Sequence, residues 1–149
     1  MKLQYILLKV NVVKIVGDKN KDITNVNFNS KKITKNGLFV AIRGLVADGH
    51  DYIDNSIKSG ASVIFAEILP EKLHKDITYV CVKNTHRSLS KIASIFYNYP
   101  SKSIRLIGVT GTNGKTTIVS LLHQLFTLLN KKSGMISTIE NKIIDKVIP

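Results

Sequence analysis

Residues 105–130 read RLIGVTGTNGKTTIVSLLHQLFTLLN. RLIGV (Arg105 to Val109) is a short apolar run, β-branched in part, and is expected to be a buried strand. Thr110 to Gly114 holds two glycines and an Asn, residues that let a backbone turn tightly and point successive N–H groups inward. From Lys115 onward Ile118, Leu121, Leu122, Leu125 and Leu129 recur at helical spacing, which predicts a helix over 115–130 with one apolar face. The order is therefore strand, glycine loop, helix N-terminus. A helix start offers free N–H groups and a positive dipole end to an anion. Lys115 adds a full charge there, and Thr116 a hydroxyl suited to Mg²⁺ beside bound phosphates. The strict pattern G-x-x-x-x-G-K-[ST] is not met, because Val109 occupies the place of its first glycine. The plain alternative is a turn joining a strand to a helix, but such turns rarely carry Gly-Lys-Thr-Thr at the helix start.

Composition narrows the rest. The chain has 149 residues, a net charge of +12 and 44% apolar residues, enough for a folded core. Its basic excess is 19 Lys against 3 Arg, with 20 Ile and 12 Asn, the bias that an AT-rich genome produces by codon usage alone. The lysines are scattered and no aromatics interleave with them, so a solvated basic surface is expected and no nucleic-acid groove. Cys81 is the single cysteine, lies in the apolar run YVCV, and is expected to be a buried, inert thiol. His50, His74, His86 and His123 show no metal-ligand spacing. The N-terminal stretch is broken by Gln4, Lys9, Asn11 and Lys14, and no run approaches the ~18 apolar residues of a membrane span. A cytoplasmic protein with no membrane partner is expected.

Upstream of the loop the pattern is α/β. GLFVAIRG (37–44), ASVIFAE (61–67) and ITYVCVK (77–83) are expected strands. HDYIDNSIKSG (50–60) predicts a short helix with Tyr52, Ile53 and Ile57 inward and Gly60 as its stop. A second helix is expected after an N-cap at Asn84 or Thr85, with Leu89, Ile92, Ala93 and Phe96 inward and Pro100 ending it. GMIST (134–138) is the next expected strand. The expected organisation is a small α/β domain over 1–84, then the opening strand–loop–helix unit of a parallel-sheet nucleotide domain over 85–149.

GVTGTNGKTT (108–117) resembles the ATP loop of the Mur ligases, whose form G-T-x-G-K-[ST]-[ST] accounts for the failed spacing. NSKKITKNGLFVAIRGLVADGHDYIDNSIKSGASVIFAE (29–67) resembles that family's N-terminal domain, and residues 84–117 its junction into the ATPase domain. The order of blocks is most similar to the members that add the third residue of the cell-wall peptide. The resemblance implies a UDP-MurNAc site at Phe28, Ser30, Leu45, Val46 and Ala47, with Asn29 and Lys31 standing where the family has Asp and Arg. It implies an ATP site at Gly111, Thr112, Asn113, Gly114, Lys115, Thr116 and Thr117, Lys115 neutralising the β/γ phosphates as the catalytic residue and Thr116 ligating Mg²⁺. The plain alternatives are a turn residue at Ser30 and core positions at Leu45 and Val46. The implied chemistry is phosphorylation of the terminal carboxylate of UDP-MurNAc-L-Ala-D-Glu by ATP, then attack by the amine of diaminopimelate or lysine. Lys146 to Pro149 falls where the family continues into a Thr-Thr-Pro segment, so the chain is expected to be the N-terminal part of a longer ligase, inactive alone. Two other classes stay open on the residues: a UDP-sugar or nucleotide binding module without catalysis, and a basic nucleic-acid-binding protein.

Overall fold

A computed structural model describes residues 1–148; Pro149, the last residue of the expected second domain, lies outside the described residues. The chain divides into two compact units, Met1–Ile104 and Arg105–Pro149.

The first unit is a five-stranded sheet in the order β1-β5-β4-β3-β2, built from β1 (Val12–Val16), β2 (Val26–Asn27), β3 (Gly37–Val40), β4 (Ala61–Ala66) and β5 (Thr78–Val82). Strands β2 to β5 run parallel, and β1 closes one edge antiparallel to β5. The apolar runs of β3 and β4 are continuous because both faces of the sheet are covered. Along β4, Val63 and Phe65 join one core with Leu3 and Ile6 of α1 (Leu3–Leu7) and Ile92 and Ile95 of α3 (Thr85–Phe96). Ile64 and Ala66 point the other way, into a second core with Ile53 and the partly buried Ile57 of α2 (Ile53–Lys58).

Three expectations change here. The first unit does not end near residue 84. The amphipathic face of α3 is what roofs the sheet, so removing it at 84 would strip Ile92 and Ile95 from the core. Helix α3 also stops at Phe96, before Pro100. Asn98 and Tyr99 take left-handed φ of 57° and 54°, and the Tyr99 N–H closes back on the Ser94 carbonyl at 2.6 Å. Tyr52, expected inward, sits in a 3₁₀ turn (Gly49–Tyr52) ahead of α2 and is 42% exposed. Limited proteolysis is accordingly expected to leave a resistant core ending close to Ile104. Mass spectrometry that finds a stable product ending at 84–88 would reject this boundary.

The second unit carries α4 (Lys115–Leu128) and an antiparallel meander β6-β7-β8 (Gly134–Ile136, Asn141–Ile143, Lys146–Ile148). GMIST does supply a strand, β6, but its partner is antiparallel β7. Arg105–Val109 forms no strand. A strand exists through its neighbour's hydrogen bonds, and none of the described residues pairs with this stretch, so Leu106 and Ile107 remain 75% and 51% exposed. Helix α4 ends two residues earlier than its periodicity suggests, and Asn130 follows at φ 54°.

Candidate functional site

In the second unit the loop before α4 turns on two glycines. Gly111 has φ +147° and Gly114, the N-cap of α4, has φ +77°, both in the region that L side chains rarely adopt. A Cβ at Gly114 would meet nothing within 4 Å, so it is backbone conformation that demands glycine there. The first bond inside α4 runs from the Ile118 N–H to the Gly114 carbonyl at 2.9 Å. That leaves the N–H groups of Lys115, Thr116 and Thr117 without partners inside the helix, at its positive dipole end. The Lys115 ammonium folds back over the loop and donates to the carbonyls of Gly111 and Thr112, the latter at 3.1 Å. Gly111 to Lys115 are exposed and Thr116 is half-buried, its hydroxyl bonded to no described residue. All seven expected loop residues therefore lie at one exposed helix start, with uncommitted N–H donors and the Lys115 charge held against the loop's own carbonyls. A cleft of about 410 Å³ with His123, Thr127, Lys142 and Asp145 in its wall opens at the other end of α4. Both ring nitrogens of His123 are committed there, one to the Ser133 hydroxyl at 2.9 Å and one donating to the Ile144 carbonyl at 3.0 Å. That histidine holds the meander to the helix.

In the first unit the remaining expected residues gather at the carboxyl ends of adjacent parallel strands, the place where open α/β sheets receive ligands. Phe28 follows β2 directly and is 60% exposed. Ser30 opens a 3₁₀ turn (Ser30–Lys32) and is buried to 8% exposure, with no hydrogen bond from its hydroxyl among the described residues. Asn29 caps that turn by accepting the Lys31 N–H at 3.0 Å, so the amide keeps the capping role open to the family's carboxylate. After β3 the chain makes a tight loop whose tip is Leu45, Val46 and Ala47. Leu45 and Val46 are completely exposed, which excludes the core alternative for them.

A network at the same sheet end escaped the sequence reading. Arg43 Nε meets Asp48 Oδ2 at 3.3 Å. Asp48 Oδ1 accepts the His50 backbone N–H at 2.9 Å and its Nδ1–H at 2.6 Å. The backbone bond from His50, then its ring bond, hold the Asp48 carboxyl below the usual carboxylate range. At the end of β4, Glu67 Oε1 accepts the Thr85 N–H at 2.9 Å and its hydroxyl at 3.0 Å, capping α3 alongside the Asn84 side chain. His86 donates a ring N–H to the Arg43 carbonyl at 3.0 Å. A cleft of about 220 Å³ opens between Arg43, Asp48, His50, Ile53 and Ile68 to Pro70. The signal available in the sequence was Asp two places before His, a local side-chain-to-backbone turn, with a Glu closing a buried strand.

Glu67 carries a pH prediction. The Thr85 backbone N–H, and secondarily its hydroxyl, lower its pKa. A carboxyl with a lowered folded pKa adds stability above the ordinary Glu value and loses it as pH falls through the folded value. Glu67→Ala is expected to cost about 1 kcal/mol at neutral pH by loss of a cap. The wild-type and variant melting curves should converge over the acid range, as pH falls from the ordinary Glu value through the lowered folded value. A gap that stays constant down that range would deny Glu67 this role. Cys81, expected buried and inert, is half-buried and donates Sγ–H to the Glu67 carbonyl at 3.4 Å.

Residues 22–97 match the model described as Mur ligase family, catalytic domain, and residues 109–147 match the Mur ligase middle domain. The chain is 43% identical over 149 residues to a UDP-N-acetylmuramoyl-L-alanyl-D-glutamate--2,6-diaminopimelate ligase of Cytophaga hutchinsonii, covering 99% of this chain and 31% of that protein. A protein of the same description from Clostridioides difficile is 43% identical over 145 residues, 97% of this chain and 29% of its own length. The chain thus spans about a third of these relatives. Among solved structures, the MurF ligase of Thermotoga maritima in complex with ADP superposes with a TM-score of 0.57 at 33% identity, over 73% of this chain and 24% of that one. A UDP-N-acetylmuramoyl-L-alanyl-D-glutamate--2,6-diaminopimelate ligase shares the fold with a TM-score of 0.73 at 18% identity, over all of this chain and 30% of that one. Among the described residues no helix is long and apolar enough to cross a membrane, and no group of three His, Cys, Asp or Glu could hold a metal.

Proposed function

The chain belongs to the Mur ligase family, and from that premise we propose that its first unit holds the UDP end of a peptidoglycan precursor while its second opens the ATP site of the same ligase. The reaction is the ATP-dependent joining of an amino acid to UDP-MurNAc-L-Ala-D-Glu. Diaminopimelate is the proposed amino acid, since the relatives at 43% identity are described as ligases for it. Phe28, Ser30 and the tip Leu45 to Ala47 contact the nucleotide sugar, the apolar tip residues covering its base and the Ser30 hydroxyl offering a hydrogen bond. Gly111 to Thr117 receive the ATP phosphates through the free N–H groups of the helix start, and Lys115 leaves its loop carbonyls to neutralise the β/γ oxygens.

The same loop fits a magnesium ion. Thr116 is half-buried in the first turn of α4 with an uncommitted hydroxyl, so it and the nucleotide phosphates would hold the ion. When bound, the ion supplies charge neutralisation during transfer.

The observation that carries this reading is the exposed glycine loop that leads into a helix start with three uncommitted N–H groups and Lys115 beside them. Calorimetric titration of the 149-residue chain with ATP·Mg²⁺ tests it. A dissociation constant on the order of 1 mM is expected for a loop without a closed base pocket. Lys115→Ala is expected to weaken it at least about tenfold, the loss of one charge-assisted contact. Equal affinity in the variant would remove the loop from the nucleotide site.

A further inference from the structure

The loop after β3 is tied shut at its base, yet its tip is bare. Arg43 and Asp48 form an isolated antiparallel bridge, the Gly44 N–H donates to the Ala47 carbonyl at 2.9 Å, and the Gly49 N–H to the Ile42 carbonyl at 2.8 Å. These bonds hold Leu45 and Val46 wholly in solvent. Two apolar side chains left free would fold back onto exposed apolar surface such as Ile68, which shares a cleft with Arg43 and Asp48 at the loop's base. Besides the His86 bond to the Arg43 carbonyl, one ring links the base of the loop to the end of β4. The His50 side chain is only 14% exposed. Its Nδ1 meets Asp48 Oδ1 at 2.6 Å, and its Nε2 lies 3.1 Å from the Glu67 nitrogen and 3.4 Å from that of Ile68. A backbone N–H can only donate, so Nε2 carries no proton and the Nδ1–H is the one given to Asp48. The neutral ring therefore bridges the base of the loop to the end of β4.

We propose that His50 is a positioning residue for substrate, holding the tip Leu45 to Ala47 away from the sheet through Asp48 on one side and the Glu67 N–H on the other. The proposal rests on the reading of that tip as a UDP-sugar contact and adds the device that presents it. His50 touches no substrate itself. Asp48 supports the assignment, because its carboxyl is stabilised as an anion chiefly by the two His50 donors.

Two variants separate hydrogen bonding from bulk. His50→Leu keeps much of the volume and makes neither bond. His50→Gln can accept the Glu67 N–H through Oε1 and donate to Asp48 through its amide. Native-state amide exchange is read at Gly44 and Gly49, with Val63 and Ile64 of β4 as internal standards. His50→Leu is expected to speed exchange at both loop glycines about tenfold, the loss of a charge-assisted bond, with the standards unchanged. His50→Gln is expected to stay within about threefold of wild type. Loop glycines that exchange alike in all three proteins would overturn the proposal. Should His50→Leu loosen the β4 standards too, Asp48→Ala decides: selective loosening of the loop supports the proposal and an unchanged loop rejects it. Titration with UDP-MurNAc-L-Ala-D-Glu forms the second arm. Affinity is expected to fall about tenfold in His50→Leu and to recover in His50→Gln. A wild-type chain that binds no UDP-sugar overturns the substrate role of the tip, while the exchange data still judge the latch by themselves.

Discussion

Replacing Phe65 by alanine is expected to cost the first unit about 3–5 kcal/mol, the usual range for emptying a buried phenyl site. Phe65 is the next-to-last residue of the central strand β4, with no exposed surface. It packs among Leu3, Ile6, Ile92 and Ile95, so two helices rest on the space it fills. Those helices cannot collapse into the void independently, because both are anchored to the same sheet face. A domain of this size has on the order of 5–15 kcal/mol in total. The melting temperature should therefore fall by on the order of 15 °C or more. Leu121→Ala provides the contrast. It removes a side chain of similar hydrophobicity from a helix, but one that is 59% exposed, and about 0.5 kcal/mol or less is expected. Scanning calorimetry on the two variants checks both values. Equal losses would mean that the burial pattern of the first unit is wrong.

The same contrast explains how far the sequence could be read. ASVIFAE and GLFV become β4 and β3 because continuous apolar runs between turn signals have few other homes than a doubly covered strand. Helix α3 is visible in its 3.6-residue spacing and its Asn84 cap. Strand β1 is not visible. VVKIV sits in an N-terminal stretch whose polar breaks argue against a membrane span and say nothing of an edge, and it pairs antiparallel with β5 across more than 60 residues of sequence. Arg105–Val109 shows the opposite failure. Its composition is that of a buried strand, but pairing is a property of two segments, and composition reports only one. GMIST carries the right propensity without the direction of its partner. The boundary moved for a related reason: a helix that begins after a loop can still belong to the sheet behind it, and only the packing of Ile92 and Ile95 shows which sheet that is. At the candidate site, Gly111 to Thr117 could be placed from local chemistry, since phosphate loops concentrate their donors within one turn of chain. Phe28, Ser30 and Leu45 to Ala47 are suggested only through resemblance, because they follow two different strands, β2 and β3. His50 has no periodicity, and its role rests on two partners that only the fold brings to its ring.

The 149-residue chain on its own is expected to release no ADP above background when given UDP-MurNAc-L-Ala-D-Glu, ATP, Mg²⁺ and diaminopimelate or lysine. Forming an acyl phosphate requires the dipeptide carboxylate, the γ-phosphoryl group and the metal to be held in one geometry, and proximity of that kind is worth roughly 7–11 kcal/mol of barrier. In the proposed function the first unit would meet a nucleotide sugar at its strand ends, and the second would meet phosphates at Lys115, Thr116 and the three uncommitted N–H groups of the α4 start. Neither offers, among the described residues, a cluster of carboxylates or histidines for the metal. On the proposed reading each of these groups would bind one end of a reactant, which would lower the cost of binding two substrates without lowering the cost of aligning them. Binding both ends equally well in ground and transition states leaves the chemical step where it was. The relatives are about three times as long as this chain, and the proposed division places alignment in what they have beyond it. A coupled ADP assay on purified 1–149 gives the answer. Turnover that disappears in Lys115→Ala would show that the two units, or two copies of the chain, already complete the site, and the binding-only account would then be wrong.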